Sequence, residues 1–196
     1  ILPDLNTRLS EPLEVVLDRP LLRDYPNIAG VYVLLRVMDL ARVYARRVWV
    51  DEEALAAWTG LNPAEKYFAL LEAWLLEAHG EVLGGASRTQ VDGFANTLHF
   101  LAHEVSSRWK TFDEWCHIYG FRGGVSTWNT QLMMRFGFIE VQPRPLEGRN
   151  SQNRGWLMKN AKRTPWGEAV AWAIFERMIA TAEHERDVEF YHLPDE

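Results

Sequence analysis

Three helix starts and one polar loop follow one another in a fixed order in the second half of the chain. Residues 111–114 (Thr-Phe-Asp-Glu) form a capping box, Ser126 precedes a helical pattern, and Thr164 precedes a proline suited to the first helical position. Between the last two starts, the strand-like runs 138–141 and 156–160 flank a loop rich in Pro, Gly, Asn and Arg. The sequence therefore predicts helix, turn, helix, β-hairpin and helix, in that order.

The hairpin segment concentrates the positive charge of the chain. Residues 142–163 include six basic residues and one acidic residue, a net charge of +5, whereas the whole chain has a net charge of −6. Residues 164–196 include two basic and eight acidic residues. A basic segment within an acidic chain indicates a surface for an anionic partner. A charged loop that only faces solvent is the simplest alternative.

The first fifty residues predict an irregular arm and one long helix. Residues 1–27 contain four prolines and leave room for a short helix near Leu13–Leu17. Apolar residues at helical spacing predict a single helix from Ile28 to about Arg47. The short run Val48–Val50 is compatible with a strand.

Two further helices are predicted before the middle of the chain. The first follows Asp51, has acidic residues in its first turn, and ends near Gly60. The second begins at Asn62-Pro63, has a capping-box glutamate at Glu65, and ends at Gly80. The nine tryptophans are expected to pack in the core, because most recur at helical spacing beside apolar residues.

The glycine-rich run 84–87 predicts a joint between two parts of the chain. We expect a helical N-terminal region over residues 1–86, a second domain over residues 87–184 and an acidic tail over residues 185–196. The second domain opens with a predicted helix over Asp92–Ser107. The expected fold class is mainly α with a small β-hairpin.

The helix that begins at Ser126 has a polar side. Trp128, Leu132, Met133 and Phe136 mark its buried face at helical spacing. The residues expected to face outward are Thr127, Thr130, Gln131, Met134 and Arg135. Such side chains can contact base edges or phosphates.

The order of these elements resembles the winged helix-turn-helix regulators of the MarR-like and PadR-like kind. The resemblance covers about residues 92–184 and includes the strand that starts Gly-Phe-Ile at Gly137 and the Thr-Pro-Trp-Gly helix start at Thr164. It implies a winged helix packed on a helical N-terminal half, with Ser126–Phe136 as the recognition helix. It further implies that three wing residues reach phosphate or the minor groove: Arg144, Arg149 and Arg154.

A second resemblance concerns residues 61–74, which are similar to a segment upstream of the defining domain in some plasmid Ri open-reading-frame-three-like proteins. That family is associated with mobile elements, and the resemblance implies architecture only. As an alternative to one long helix, residues 31–58 could form a degenerate first winged helix, with residues 43–50 as its shortened hairpin.

The function predicted from these patterns is DNA binding, in transcriptional control or mobile-element maintenance. We expect Thr127, Thr130, Gln131 and Arg135 to enter the major groove. The residues expected to engage phosphates are Arg144, Arg149, Arg154, Lys159 and Arg163. The alternative is a winged helix that binds protein through an exposed apolar patch including Trp128 or Trp156. Duplex DNA is the expected partner, with a homodimer or a protein partner as further possibilities.

Other chemistry finds weak support in the sequence. His99 and His103 are one helical turn apart, but no third metal ligand follows from the spacing, so we expect no metal. Cys116 and His117 are neighbours, which point in different directions on a helix. The glycines before Ser126 lack the lysine of a phosphate loop. We expect no enzyme activity, no cofactor, no membrane segment and a cytoplasmic location.

Overall fold

The computed structural model describes residues 1–15, 17, 19–45, 47–78, 97, 99–112, 126–143, 158–174 and 176. Helix α1 spans Leu2–Thr7, and a 3-10 turn spans Leu22–Asp24. The short helix predicted near Leu13 is wrong, because the described residues of that stretch are irregular. The buried Asn6 side chain holds the arm instead, since it bonds both backbone groups of Leu13 and accepts a hydrogen bond from Asn27.

The predicted long helix is shorter than expected, with 12 residues. Helix α2 spans Pro26–Val37, and the chain then turns at Asp39, whose φ of +55° ends the helix. Strands β1 (Ala41–Tyr44) and β2 (Arg47–Val50) follow as an antiparallel hairpin. The β-branched residues of this segment favour strand over helix, so the alternative hairpin over residues 43–50 matches the structure.

The next two helices begin where the sequence predicts. Helix α3 spans Glu52–Gly60, and the Asp51 carboxylate caps it by accepting a hydrogen bond from the amide of Ala54 at 3.0 Å. Helix α4 spans Pro63–Glu72, with the Asn62 and Glu65 capping box formed as predicted. A π-helical turn, Ala73–Glu77, continues it. The predicted end at Gly80 and the joint at residues 84–87 lie outside the described residues.

The described residues resume near the end of the predicted helix over Asp92–Ser107. A π-helical turn, Phe100–Glu104, ends three residues earlier than expected. Strand β3, Lys110–Thr111, follows. Thr111 was expected to cap a helix, but it lies in a strand, and its hydroxyl donates a hydrogen bond to the Asn160 side chain at 2.9 Å. The helix predicted after residue 112 lies outside the described residues.

Helix α5, Thr127–Arg135, has the start and the end that its sequence predicts. The Ser126 hydroxyl accepts a hydrogen bond from the amide of Asn129. At the other end, Gly137 takes a φ of +76°, the left-handed conformation that glycine adopts without strain. The amides of Gly137 and Phe138 then bond the carbonyls of Met134 and Met133, which satisfies the last turn of the helix.

A three-stranded antiparallel sheet follows in the order β3-β5-β4, with β4 at Ile139–Pro143 and β5 at Met158–Arg163. Both strands of the predicted hairpin are therefore present, with bounds one to three residues later than predicted. Helix α6, residues 165–174, begins after the predicted cap, because the Thr164 hydroxyl accepts a hydrogen bond from the amide of Gly167.

One hydrophobic core includes residues from both halves of the chain. Trp74 of the first half stacks on Phe136 of the second, with ring centroids 5.0 Å apart, and its indole N–H bonds Asn129 at 2.6 Å. The Tyr67 hydroxyl donates to the carbonyl of Phe136 and accepts from the indole of Trp166. The expectation of core packing holds for Trp74 and Trp128. It is wrong for four other tryptophans, which are exposed: Trp49, Trp109, Trp166 and Trp172.

The fold class is mixed rather than mainly α with one hairpin, because helices accompany a two-stranded and a three-stranded sheet. Across the described part of the chain, each helix is too short or too polar to cross a membrane.

Candidate nucleic-acid interface

Helix α5 is covered on two sides, so it offers little outward surface. Six successive residues, from Trp128 to Met133, are buried. Thr130 is 0% exposed and Gln131 is 1% exposed, so the prediction that these two side chains face outward is wrong. The helical pattern does not show what lies beside this face: residues 10–13 of the N-terminal arm and strand β4 line one cleft together with Gln131, and helix α2 packs against α5 as well.

The close approach of α2 depends on Gly30. A Cβ at this position would lie 3.0 Å from the side chain of Leu132 and 3.3 Å from the carbonyl oxygen of Trp128. Such distances are shorter than ordinary van der Waals contact, so a glycine allows the two helix backbones to come near each other. The first half of the chain therefore packs closely against α5 at Leu132 and Trp128.

The two ends of α5 remain accessible. Thr127 is half-buried in the first turn, and Arg135 is exposed in the last turn. A cation in the last turn of a helix interacts favourably with the partial negative charge of its carbonyl groups. Of the four residues predicted to enter the major groove, only these two have solvent access.

One face of the sheet carries a row of paired polar side chains. The Asn160 side chain accepts a hydrogen bond from Thr111 at 2.9 Å and donates one to Gln142 at 2.7 Å, which links all three strands. Two residues farther along β5, Lys162 forms an ion pair with Glu140 at 2.9 Å. Its ammonium group also lies over the ring of Trp109, 5.1 Å from the ring centroid. The side chains of this row thus hydrogen-bond to one another, and Glu140 compensates the charge of Lys162.

Arg163 and Lys159 of β5, both predicted to bind phosphate, differ in their exposure to solvent. Arg163 is 14% exposed, donates hydrogen bonds to the carbonyls of Leu101 and Ala102, and lies 3.7 Å from Glu168. The prediction that Arg163 engages phosphate is therefore corrected, because its guanidinium already bonds two carbonyls within the π-helical turn Phe100–Glu104. Lys159 is exposed and remains a candidate.

The wing residues Arg144, Arg149 and Arg154 lie outside the described residues, and so does Trp156. Trp128, the other tryptophan expected on an exposed apolar patch, is 5% exposed and packs in the core. That part of the protein-binding alternative is wrong.

The hairpin β1–β2 is a surface that the sequence reasoning did not identify as functional. Its strand pairs Arg42 with Trp49 and Tyr44 with Arg47, which places two arginines and two aromatic rings on one face. Trp49 is 55% exposed, and Arg42 pairs with Asp51 at 3.0 Å. The β-branched residues Val43, Val48 and Val50 are the signal for this hairpin, but the leading prediction continues the helix to about Arg47 and gives only Val48–Val50 as a strand.

Metal chemistry finds no support in the described part of the chain. The rings of His99 and His103 are 4.8 Å apart, and no group of three candidate ligands surrounds them or any other described position. Cys116, His117 and the glycines before Ser126 lie outside the described residues.

Comparison of the chain with protein-family models, with curated proteins and with solved structures found no match.

Proposed function

We propose that this chain binds duplex DNA through phosphate contacts made by four residues of the basic segment 142–163, namely Arg144, Arg149, Arg154 and Lys159. The observation that carries the proposal is the net charge of +5 in this segment, within a chain of net charge −6. Cations that neutralise phosphates supply most of the affinity of non-specific DNA binding. A role in transcriptional control or mobile-element maintenance, with no catalytic step, fits such binding.

The order of elements supports a winged helix-turn-helix interpretation of this half. The capped helix α5 precedes β4, residues 144–157 join β4 to its neighbour β5, and the short strand β3 lies on the other side of β5. In this interpretation residues 144–157 form the wing, and the exposed Lys159 lies at the start of the strand that follows it.

The burial of α5 changes the kind of DNA binding that we propose. Thr130 and Gln131 are covered by the protein itself, so they are withdrawn as major-groove contacts. Arg135 and Thr127 can still approach the sugar-phosphate backbone. Contacts to phosphates position a protein on DNA but do not read the sequence. We therefore expect affinity that depends strongly on salt and weakly on base sequence.

The test is a salt titration of binding to two unrelated 20-base-pair duplexes. Arg149→Glu, Arg154→Glu and Lys159→Glu should each weaken binding to both duplexes and make the slope of log K against log salt shallower by about one. The matched control is Arg8→Glu, which reverses an exposed charge at the end of α1. An unchanged affinity in all three variants, or no binding at low salt, would contradict the proposal.

The second candidate function is a protein-interaction module, here one that binds a second copy of the chain. The observation that favours it is the exposure of Val43, Val48 and Val50 on the other face of the hairpin β1–β2. A two-stranded hairpin alone is marginally stable, so a covering partner would stabilise it. Sedimentation velocity across a wide concentration range tests this. Val48→Ser should abolish self-association and leave DNA affinity unchanged.

A further inference from the structure

The hairpin β1–β2 combines arginines with exposed aromatic rings on one of its faces. Directly paired residues of antiparallel strands lie on the same face, so the pairs Arg42–Trp49 and Tyr44–Arg47 bring four side chains together. Tyr44 is 77% exposed, Trp49 is 55% exposed, and both arginines are exposed as well. Residues 41–50 contain three arginines and no acidic residue, so this stretch of an acidic chain has a net charge of +3.

The two rings of this face differ from other exposed aromatic side chains in having no side-chain partner among the described residues. The indole of Trp166 bonds Tyr67, and Lys162 lies over the ring of Trp109. By contrast, the side chains of Tyr44 and Trp49 form no hydrogen bond, ring contact or cation–π contact with any residue that the structure describes. Both rings are therefore available to a partner that offers flat apolar surfaces.

Rings and cations alternate across this face. Tyr44 and Trp49 occupy diagonal positions on the two strands, and so do Arg42 and Arg47. Diagonal neighbours on one face of an antiparallel pair are about 7–8 Å apart. Arg42 forms an ion pair with Asp51 at 3.0 Å, which compensates its charge, whereas Arg47 has no ion pair with a carboxylate of the described residues. Arg47 is therefore the cation of this face that can bind an anionic group.

We propose that this face binds single-stranded DNA, with bases stacked on Trp49 and Tyr44 and a phosphate bound by Arg47. Aromatic rings that stack on bases, combined with cations that bind the backbone, are the features by which proteins bind single strands. In a duplex, neighbouring base pairs cover the faces of each base, so free rings favour an unpaired strand. The choice of DNA over RNA rests on the DNA binding proposed above for the segment 142–163.

The probe is a fluorescently labelled thymidine octamer, and the matched control ligand is an octamer of abasic sites, which has the same phosphates but no bases. Fluorescence anisotropy on the full chain should show that the thymidine octamer binds at least about tenfold more tightly, because only its bases can stack. Equal binding of the two octamers, or no binding of either, would overturn the proposal. Tighter binding of octauridine RNA than of the thymidine octamer would overturn the choice of DNA.

Variants of Trp49 tie the binding to this face. Trp49→Ala should weaken binding of the thymidine octamer about tenfold and leave binding of the abasic octamer unchanged. Trp49→Phe keeps a ring and should retain most of the affinity, which separates lost stacking from a disturbed hairpin. The matched control is Phe68→Ala, which removes an aromatic ring of similar exposure from α4 and should have no effect. Unchanged affinity in Trp49→Ala, or an equal loss in Trp49→Phe, would overturn the proposal.

A charge variant and the duplex separate this proposal from the duplex binding proposed above. Arg47→Glu should weaken binding of both octamers, because each contains phosphates, whereas Arg8→Glu should weaken neither. Trp49→Ala should leave the affinity for the 20-base-pair duplexes unchanged, and Lys159→Glu should weaken it. A failure of duplex binding would contradict the role of the segment 142–163. Loss of the preference for the thymidine octamer would contradict only the stacking face of the hairpin.

Discussion

Gly167 lies where the first turn of α6 meets the backbone of Phe138. A Cβ on this residue would lie far inside van der Waals contact distance of the Phe138 carbonyl oxygen, and 2.7–2.8 Å from the carbonyl carbon and Cα of Phe138. The carbonyl cannot move away freely, because it accepts a hydrogen bond from the amide of Thr164 at 3.0 Å. Phe138 itself is fully buried. Only glycine, which has no Cβ, therefore fits where α6 packs against the sheet.

Gly167→Ala should therefore destabilise the protein by about 2–4 kcal/mol, since backbone atoms must shift to admit one methyl group. Urea unfolding followed by tryptophan fluorescence measures the change. The control is Gly60→Ala, because a Cβ at Gly60 has no heavy atom within 4 Å. A loss below about 1 kcal/mol for Gly167→Ala would show that α6 can slide over the sheet.

Two residues of α5 show what a helical pattern can and cannot predict. The spacing of Trp128, Leu132 and Phe136 correctly predicts one buried face. The same spacing assigns Thr130 and Gln131 to solvent, yet both are buried. A period of 3.6 residues identifies one apolar stripe, and it contains no information about which other parts of the protein cover the polar side.

At the scale of elements, the starts and ends set by neighbouring residues were predictable. The caps at Asp51, Asn62, Ser126 and Thr164 form as expected, because each depends on hydrogen bonds spanning three residues or fewer. The leading prediction for residues 28–47 is a helix and not the hairpin β1–β2, because the apolar side chains of this segment fit both the helical and the strand period. The turn at Asp39 ends helix α2 and allows the hairpin to follow. The pattern of apolar residues does not reveal this turn.

The contact between α2 and α5 yields a test at this scale. Gly30→Val should destabilise the protein by about 1–3 kcal/mol, because a branched side chain cannot fit against Leu132 without separating the helices. Chemical denaturation gives the difference in unfolding free energy. Gly60→Val is the matched control and should stay within about 1 kcal/mol of the parent protein. Equal stability of the two variants would mean that the α2–α5 contact tolerates separation.

At the scale of the whole molecule, the two halves predicted as separate regions share one core. Trp74, Tyr67 and Val33 of the first half and Leu132, Phe136 of the second belong to it or pack against it. The boundary predicted near residue 86 lies outside the described residues. The glycine-rich run 84–87 predicts a joint between the halves, but contacts across such a run depend on side chains far apart in the chain.

The distribution of charge over the whole chain gives a further prediction. Removal of residues 183–196 eliminates six acidic residues and one basic residue. If these acids compete with DNA for the basic segment, truncation after Ala182 should raise DNA affinity severalfold at low salt and less at high salt. Fluorescence anisotropy with a labelled duplex measures it. The same truncation in an Arg149→Glu, Arg154→Glu background should bring a smaller gain. Unchanged affinity after truncation would reject competition by the tail.

The register of β4 and β5 has a consequence for how this chain can change over evolution. Pro143 lies opposite Met158, so the chain leaves the sheet and returns to it at adjacent positions. The ends of the connection are fixed by the strands, and a doubling of loop length adds only about 0.6 kcal/mol to the entropy of closing it. Descendants of this sequence can therefore gain or lose residues between positions 143 and 158 while the sheet stays as it is. Three of the six basic residues of the segment 142–163 belong to this connection.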